Sequence, residues 1–209
     1  MKRTCFLFVL SAALLSCPCV TWAQNTGKET KGLSHYLAVD VALCYMDGEI
    51  YETFSRRTGP EIGLGYRMVV PVAEKWSLIP GVGIHAESVA FGYSGPFLTI
   101  QSDLYCSAGY HFGFLGTGAI ISLGPNLSYY ILPDEYYIDA DPHDARNGKR
   151  IYKNCNLSLR PEIMFEGQGR WIYGLGMTIG LFNQRKAYEE FTTYNSRAHY
   201  LRVILACRL

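Results

Sequence analysis

From Ser34 to Leu209 the chain runs in strand-length segments that alternate apolar residues with small or polar ones, and no lysine falls inside any of them. Residues 171–182, Trp-Ile-Tyr-Gly-Leu-Gly-Met-Thr-Ile-Gly-Leu-Phe, show this most plainly. Trp171, Tyr173, Leu175, Met177, Ile179 and Leu181 fall on one side, and Gly174, Gly176, Thr178 and Gly180 on the other. Successive side chains of a β-strand point to opposite faces, so a period of two means a strand with two chemically different surfaces. The pattern predicts an all-β chain in which every strand must place an apolar face somewhere dry.

Eight such segments are expected, at about 34–45, 60–71, 76–91, 97–112, 118–132, 154–166, 170–182 and 198–209. Their connections alternate in length. The first (46–59), fifth (133–153) and seventh (183–197) are long, whereas the second (72–75), fourth (113–117) and sixth (167–169) are short. The third, from Phe91 to Pro96, is also short. Long loops at one end, short turns at the other and an even strand count describe an eight-stranded antiparallel up-and-down transmembrane β-barrel.

The apolar faces read Leu37, Val39, Val41, Leu43; Ile62, Leu64, Tyr66, Met68, Val70; Trp76, Leu78, Val82, Ile84; Leu98, Ile100, Leu104, Cys106; Ala119, Ile121, Leu123, Leu127, Tyr129; Leu157, Leu159, Ile163, Phe165; and Leu201, Val203, Leu205, Cys207, Leu209. The opposite faces carry Asp40, Glu61, Arg67, His85, Glu87, Gln101, Asp103, Arg160, Glu162 and Arg202 among many glycines and serines. A soluble barrel would turn the apolar face inward and show water a surface rich in Lys and Glu. Here the lysines sit in the tail, a turn and loops, and the polar face is Gly-rich and of mixed sign. A charge facing lipid costs about 2–4 kcal/mol at the bilayer midplane. The charges are therefore expected inside, as a lumenal network of Asp40, Glu61, Arg67, His85, Glu87, Asp103, Arg160, Glu162 and Arg202. Trp76, Tyr110, Phe112 and Trp171 near one end, with Tyr45 and Tyr129 near the other, fit interfacial girdles.

The N-terminus supplies the export route. Lys2 and Arg3 precede an apolar run from Cys5 to Leu15, Pro18 breaks it, and Thr21-Trp22-Ala23 offers a small residue before Gln24. This reads as a secretory signal over 1–23, cleaved after Ala23, followed by a polar tail over 24–33 and the barrel domain over 34–209. A rival reading takes Leu14-Leu15-Ser16-Cys17 as a lipoprotein signal with Cys17 lipidated, but Pro18 directly after the cysteine fits that poorly. Cleavage after Ala23 would change the formal charge from +1 to −1. Nothing polybasic remains, so nucleic acid is not expected as a partner. Cys44, Cys106, Cys155 and Cys207 lack metal-like spacing and read as small apolar fillers, not a disulfide framework.

Taken together, the eight alternating segments, the signal ending Ala23-Gln24 and the one-sided long loops make the chain resemble small outer-membrane barrels. It is similar to the OmpA/OmpX-like barrels and the PorT-like outer membrane protein beta-barrel domain over most of 34–209. The resemblance implies residence in the outer membrane of a Gram-negative bacterium, contact with outer-membrane lipid, and insertion by the barrel-assembly machinery. One departure is the terminus. Such barrels usually end in an aromatic residue, whereas this chain ends Cys207-Arg208-Leu209.

Three chemistries can be weighed. An eight-stranded interior is just wide enough for side chains, so its charges read as a salt-bridged filling before they read as a pathway. An enzyme would need a nucleophile beside a base. Ser196 and His199 lack the His-x-Ser-Asn pattern of the barrel lipid A deacylases, and His85 and Glu87 share a face without a nucleophile, so no catalytic activity is expected. The fifth connection holds Asp134, Glu135, Asp139, Asp141, His143 and Asp144 without the Gly and closing Glu of a calcium loop, so no metal or other cofactor is assigned. Tyr136, Tyr137 and Tyr152 there, and Tyr188, Phe191 and Tyr194 in the seventh connection, form a candidate recognition surface. The functional expectation is a structural or loop-mediated binding role, with an extracellular or envelope protein as the possible partner. A narrow transport- or secretion-associated barrel is the runner-up, and a lipid A-modifying enzyme the third reading.

Overall fold

A computed structural model describes residues 32–47, 58–91, 94–114, 117–131, 154–167, 170–182 and 197–209. Within them the chain forms eight strands: β1 (Ser34–Asp47), β2 (Thr58–Pro71), β3 (Trp76–Phe91), β4 (Ser94–Phe114), β5 (Thr117–Ile131), β6 (Cys155–Glu166), β7 (Trp171–Gly180) and β8 (Arg197–Arg208). Each pairs antiparallel with the next, and β8 closes on β1 to give one barrel. Closure leaves no sheet edge, which is what allows β-structure to sit in lipid, where no water can satisfy a free N–H or C=O. Even the shortest strand, β7 at 10 residues, is long enough to cross a hydrocarbon core, which takes about 9–11 tilted residues.

The connections sort to two ends. Residues 72–75, 115–116 and 167–170 join strands at the turn end, where β1 begins and β8 finishes. Residues 48–57, 92–93, 132–154 and 181–196 join them at the loop end. At the turn end Leu209 N–H donates to the His35 carbonyl at 2.9 Å, tying the chain's last residue to the start of β1. The third connection is shorter than the sequence suggests. Pro96, placed in that connection by the sequence, pairs with Ala90, and a register shift at Ala90/Phe91 absorbs the irregularity.

Alternation is kept on nearly every strand. Leu37, Leu43, Ile62, Leu64, Ile84, Leu98, Ile121, Leu175, Leu201 and Val203 point outward and are exposed. Between the strand ends, no described outward position holds Asp, Glu, Lys or Arg. Trp76 and Trp171 stand outward at the turn end, and the Trp76 ring meets Tyr110 edge-on with centroids 5.1 Å apart. Three residues read as exposed apolar face are covered instead: Met68, Val70 and Ala119. Ala119 lies between Phe112 and Phe165 in the sheet, and beside such rings a single methyl is shielded.

Prolines interrupt three ladders. Pairing skips residues 68–69 against 79–80, 106–107 against 124–125, and 160–161 against 177–178, at Pro80, Pro125 and Pro161 respectively. Proline has no N–H to give a ladder. The chains still approach closely there, because a Cβ on Gly124 would collide with the Cys106 carbonyl and the Ser107 backbone.

The outward face makes a direct prediction. Leu175→Arg, at mid-strand on β7, should lower stability in lipid vesicles by about 2–4 kcal/mol, and Leu175→Val by far less. Equilibrium denaturant unfolding checks this, and equal stability of the two variants would contradict a lipid-facing Leu175.

Candidate functional site

Every charged residue assigned to the polar faces points into the barrel and is at most 3% exposed: Asp40, Glu61, Arg67, Glu87, Asp103, Arg160, Glu162 and Arg202, with His85 and Gln101 beside them. Three arginines organise the cluster. Arg202 on β8 donates through Nη1 to Glu61 Oε1 at 2.6 Å and to Asp40 Oδ1 at 3.3 Å. Its Nε donates to Thr178 Oγ1 on β7 at 3.2 Å, and its Nη2 lies 3.5 Å from Asp103 Oδ2 on β4. On β6, Arg160 Nε holds Glu162 Oε1 at 2.6 Å while its Nη1 lies 3.7 Å from Asp103. Arg67 on β2 donates to the other Glu162 oxygen at 2.9 Å, so that one carboxylate bridges two guanidinium groups.

His85 sits at the centre of the acidic side. Its Nδ1 is 3.1 Å from Asp40 and 3.0 Å from Glu61, and its Nε2 is 3.3 Å from Asp103. The ring is thus surrounded by carboxylates from β1, β2 and β4. Room for it comes from small neighbours, since a Cβ on Gly63 or Gly83 would run into the imidazole. Gly81 does the same for Tyr105, whose ring lies 4.1 Å beneath the Arg160 guanidinium and 5.7 Å from that of Arg67. The planar guanidinium stacks on an aromatic face at little desolvation cost, which helps to keep a buried arginine in place.

Asp40, Glu61 and His85 present ligand atoms within 4.8 Å of one another, a spacing that could hold a metal ion. Arg202 Nη1 already fills that role, at 2.6 Å from Glu61, 3.3 Å from Asp40 and 3.1 Å from His85. A guanidinium is the cation among those three atoms.

Toward the loop end amides and hydroxyls line the lumen together with Glu87. Gln101 Nε2 donates to Asp103 at 2.6 Å and to Ser128 at 3.3 Å, and Asn126 Nδ2 reaches Ser128 at 3.0 Å and Ser158 at 3.2 Å. The Tyr130 and Tyr200 hydroxyls meet at 3.3 Å. Toward the turn end the same inward face turns apolar. Tyr36, Ala38, Val69, Ile79, Ile120, Met164, Ile172, Ile204 and Ala206 form one buried cluster. This layer, and the tyrosines packed against the arginines, are absent from the sequence-based site. A signal for the layer does exist. Near the turn end alternation lapses into apolar runs, as in Met68-Val69-Val70, Ala119-Ile120-Ile121, Ile163-Met164-Phe165 and Val203-Ile204-Leu205. Both neighbours can be apolar only where both faces are dry.

Other expected features fall elsewhere. The recognition residues Tyr136, Tyr137, Tyr152, Tyr188, Phe191 and Tyr194, the acids of the fifth connection and Ser196 lie outside the described residues. His199 pairs across the sheet with Tyr45 and Ile179 at an outward position, away from the lumen. Cys44, Cys106, Cys155 and Cys207 form no disulfide among the described residues.

Comparison with known proteins places the fold. The barrel is similar to the solved structure of Neisserial surface protein A, with a TM-score of 0.51 at 12% identity over 86% of this chain and 100% of that one. It is also similar to Ail, the attachment invasion locus protein of Yersinia pestis, at a TM-score of 0.44 and 10% identity, covering 85% of this chain and 99% of that one. The outer-membrane enzyme PagL gives a TM-score of 0.45 at 7% identity, covering 81% of this chain and 99% of that one. No protein-family model and no curated relative matches the chain. The architecture is that of small outer-membrane barrels, in keeping with the OmpA/OmpX-like resemblance of the sequence.

The ionic cluster has a measurable consequence. Arg202→Met would leave Glu61 without its guanidinium and Asp40 with only the 3.9 Å contact to Arg160, which should cost about 3–5 kcal/mol, since removing one partner strands the other in a dry site. Adding Glu61→Gln should recover part of that loss. Denaturant unfolding of the folded barrel tests both, and a single variant as stable as the parent would refute the pairing.

Proposed function

We propose that this chain is a non-enzymatic outer-membrane barrel, exported by a signal cleaved after Ala23, whose activity lies in the loop-end segments 46–59, 133–153 and 183–197 binding an extracellular or envelope protein. One observation carries the reading. The lumen is filled from the turn end by an apolar cluster and then by paired charges, so the interior is committed to holding the barrel together. What remains for interaction is the chain beyond the strands, and its Tyr-rich, mixed-charge composition suits a recognition surface.

The non-enzymatic part rests on how the lumenal histidine is used. His85 is engaged by three carboxylates and Arg202, and among the described residues no hydroxyl or thiol is recorded beside it for the imidazole to activate. The runner-up is a narrow transport- or secretion-associated barrel of the kind a PorT-like resemblance implies. The apolar layer weighs against it, because a dry constriction opposes passage of ions and water.

Shortening each long loop in turn, in the exported full chain, provides the test. Each variant should fold and reach the membrane, and at least one should lose a partner that chemical crosslinking captures with the parent. Partner capture unchanged by all three deletions would sink the loop-binding reading. Single-channel recording in planar bilayers should show no conductance steps, and regular steps would favour transport. Lipid A of changed mass in cells carrying the protein would replace the proposal with an enzymatic one.

A further inference from the structure

Three strands aim carboxylates at the ring of His85. Asp40 on β1 and Glu61 on β2 lie 3.1 and 3.0 Å from its Nδ1, and Asp103 on β4 lies 3.3 Å from its Nε2. Arg202 on β8 brings a cation to the same ring, with Nη1 3.1 Å from Nδ1. Arg160 on β6 stands behind the acids, 3.7 Å from Asp103 and 3.9 Å from Asp40. On β3 itself Glu87 shares the inward face, and Gln101 is the direct partner of His85 across the β3–β4 ladder. The ring is 1% exposed, so these groups set its charge in place of bulk water.

A neutral imidazole has one ring nitrogen that donates and one that accepts. Neither choice suits this site. With the hydrogen on Nδ1, the bare Nε2 faces Asp103 Oδ2, and neither of those two atoms has a hydrogen-bond partner elsewhere. With the hydrogen on Nε2, the bare Nδ1 faces oxygens of Asp40 and Glu61, and it would need a hydrogen from Arg202 Nη1. A guanidinium Nη carries two hydrogens. Those of Arg202 Nη1 go to Glu61 Oε1 at 2.6 Å and Asp40 Oδ1 at 3.3 Å, which leaves none for the ring.

We propose that His85 is held as a buried imidazolium that donates from both ring nitrogens to the surrounding carboxylates, and that its proton is a removable fastener of the barrel. With both hydrogens in place the ring ties β3 to β1, β2 and β4. When one leaves, a lone pair is set against a carboxylate in a dry site, and the folded state weakens. A proton bound in the folded chain and released from it makes stability fall as pH rises. The imidazolium and the Arg202 guanidinium repel each other, and the two acids they share offset that repulsion. Every group involved lies within the strands, so the proposal does not depend on the loop-binding reading.

The test uses the full chain, carrying nitrogen-15-labelled histidine and folded into detergent micelles, with the ring nitrogens read by nuclear magnetic resonance. The chain has five histidines, and the His85 signals are those lost in His85→Gln. At about pH 7.5, where a free imidazole is mostly neutral, both His85 nitrogens should read as protonated. Raising the pH further should bare one of them. At the starting pH the folding constant of His85→Gln should be about tenfold below that of the parent, as expected for lost hydrogen bonds to charged groups. That gap should close over the interval in which the parent's ring loses its proton. Should His85→Gln not fold, replacing His35, His111, His143 and His199 together leaves His85 as the single histidine for the same spectrum. One bare His85 nitrogen at the starting pH would overturn the proposal. A stability gap that stays constant while the ring loses its proton would overturn it as well.

Discussion

The structure depends on the cost of leaving charge or unpaired backbone in hydrocarbon. An open sheet could not meet that cost along its edges, and a closed ladder from β1 round to β8 removes them. Once the sheet is closed, alternation assigns each residue to one of two solvents. Among the described residues the outward set holds no Asp, Glu, Lys or Arg between the strand ends, and the charged residues of the strands are driven inside. There they must find each other, because an eight-stranded barrel leaves little room for water to solvate them. The pairing that results is cross-barrel. Through Arg202, Arg160, Arg67 and His85 it joins β1, β2, β3, β4, β6 and β8, with Thr178 and Ser128 bringing in β7 and β5. The polar lumen is thus a second fastening added to the ladder.

The lumen is layered along its axis. Apolar residues fill the turn end, ion pairs the middle, and amides, hydroxyls and Glu87 the part toward the loops. Glycine supplies the space that the large inward side chains need, as Gly63 and Gly83 do for His85 and Gly81 for Tyr105. The three proline interruptions show that the barrel tolerates gaps in individual ladders. Each falls within a hairpin closed by a short turn, where the neighbouring register stays fixed on both sides of the gap.

Much of this was legible in the sequence because a period of two leaves little freedom. One face of β7 or β8 can be read residue by residue, and the absence of lysine from the strands separates a lumen from a solvated exterior. The members of the charge cluster follow from the same parity, and all of them are found inside. Their partners do not follow. That Glu162 bridges Arg67 and Arg160, or that Arg202 enters the Asp40–Glu61–His85 group, depends on barrel stagger and on which strands face each other across the lumen. The tyrosines were hidden for a related reason. Tyr105 and Tyr200 resemble girdle residues by type, and only strand parity with the final register turns them inward. β4 begins a few residues before the alternation does, because a register shift at Ala90/Phe91 lets Pro96 pair with Ala90. Loop function has no such periodicity to guide it, since a recognition surface is set by a partner's shape.

The central claim is that the apolar face meets lipid and the charged face lines the interior. Separation of inner and outer membranes, followed by gel electrophoresis of unboiled and boiled protein, tests it most directly. The protein should be found in the outer-membrane fraction and migrate differently before and after boiling, as a closed barrel that resists detergent until heated. A soluble protein whose mobility is indifferent to boiling would contradict the account, because the exposed leucines, isoleucines and valines of all eight strands would then have no solvent to justify them.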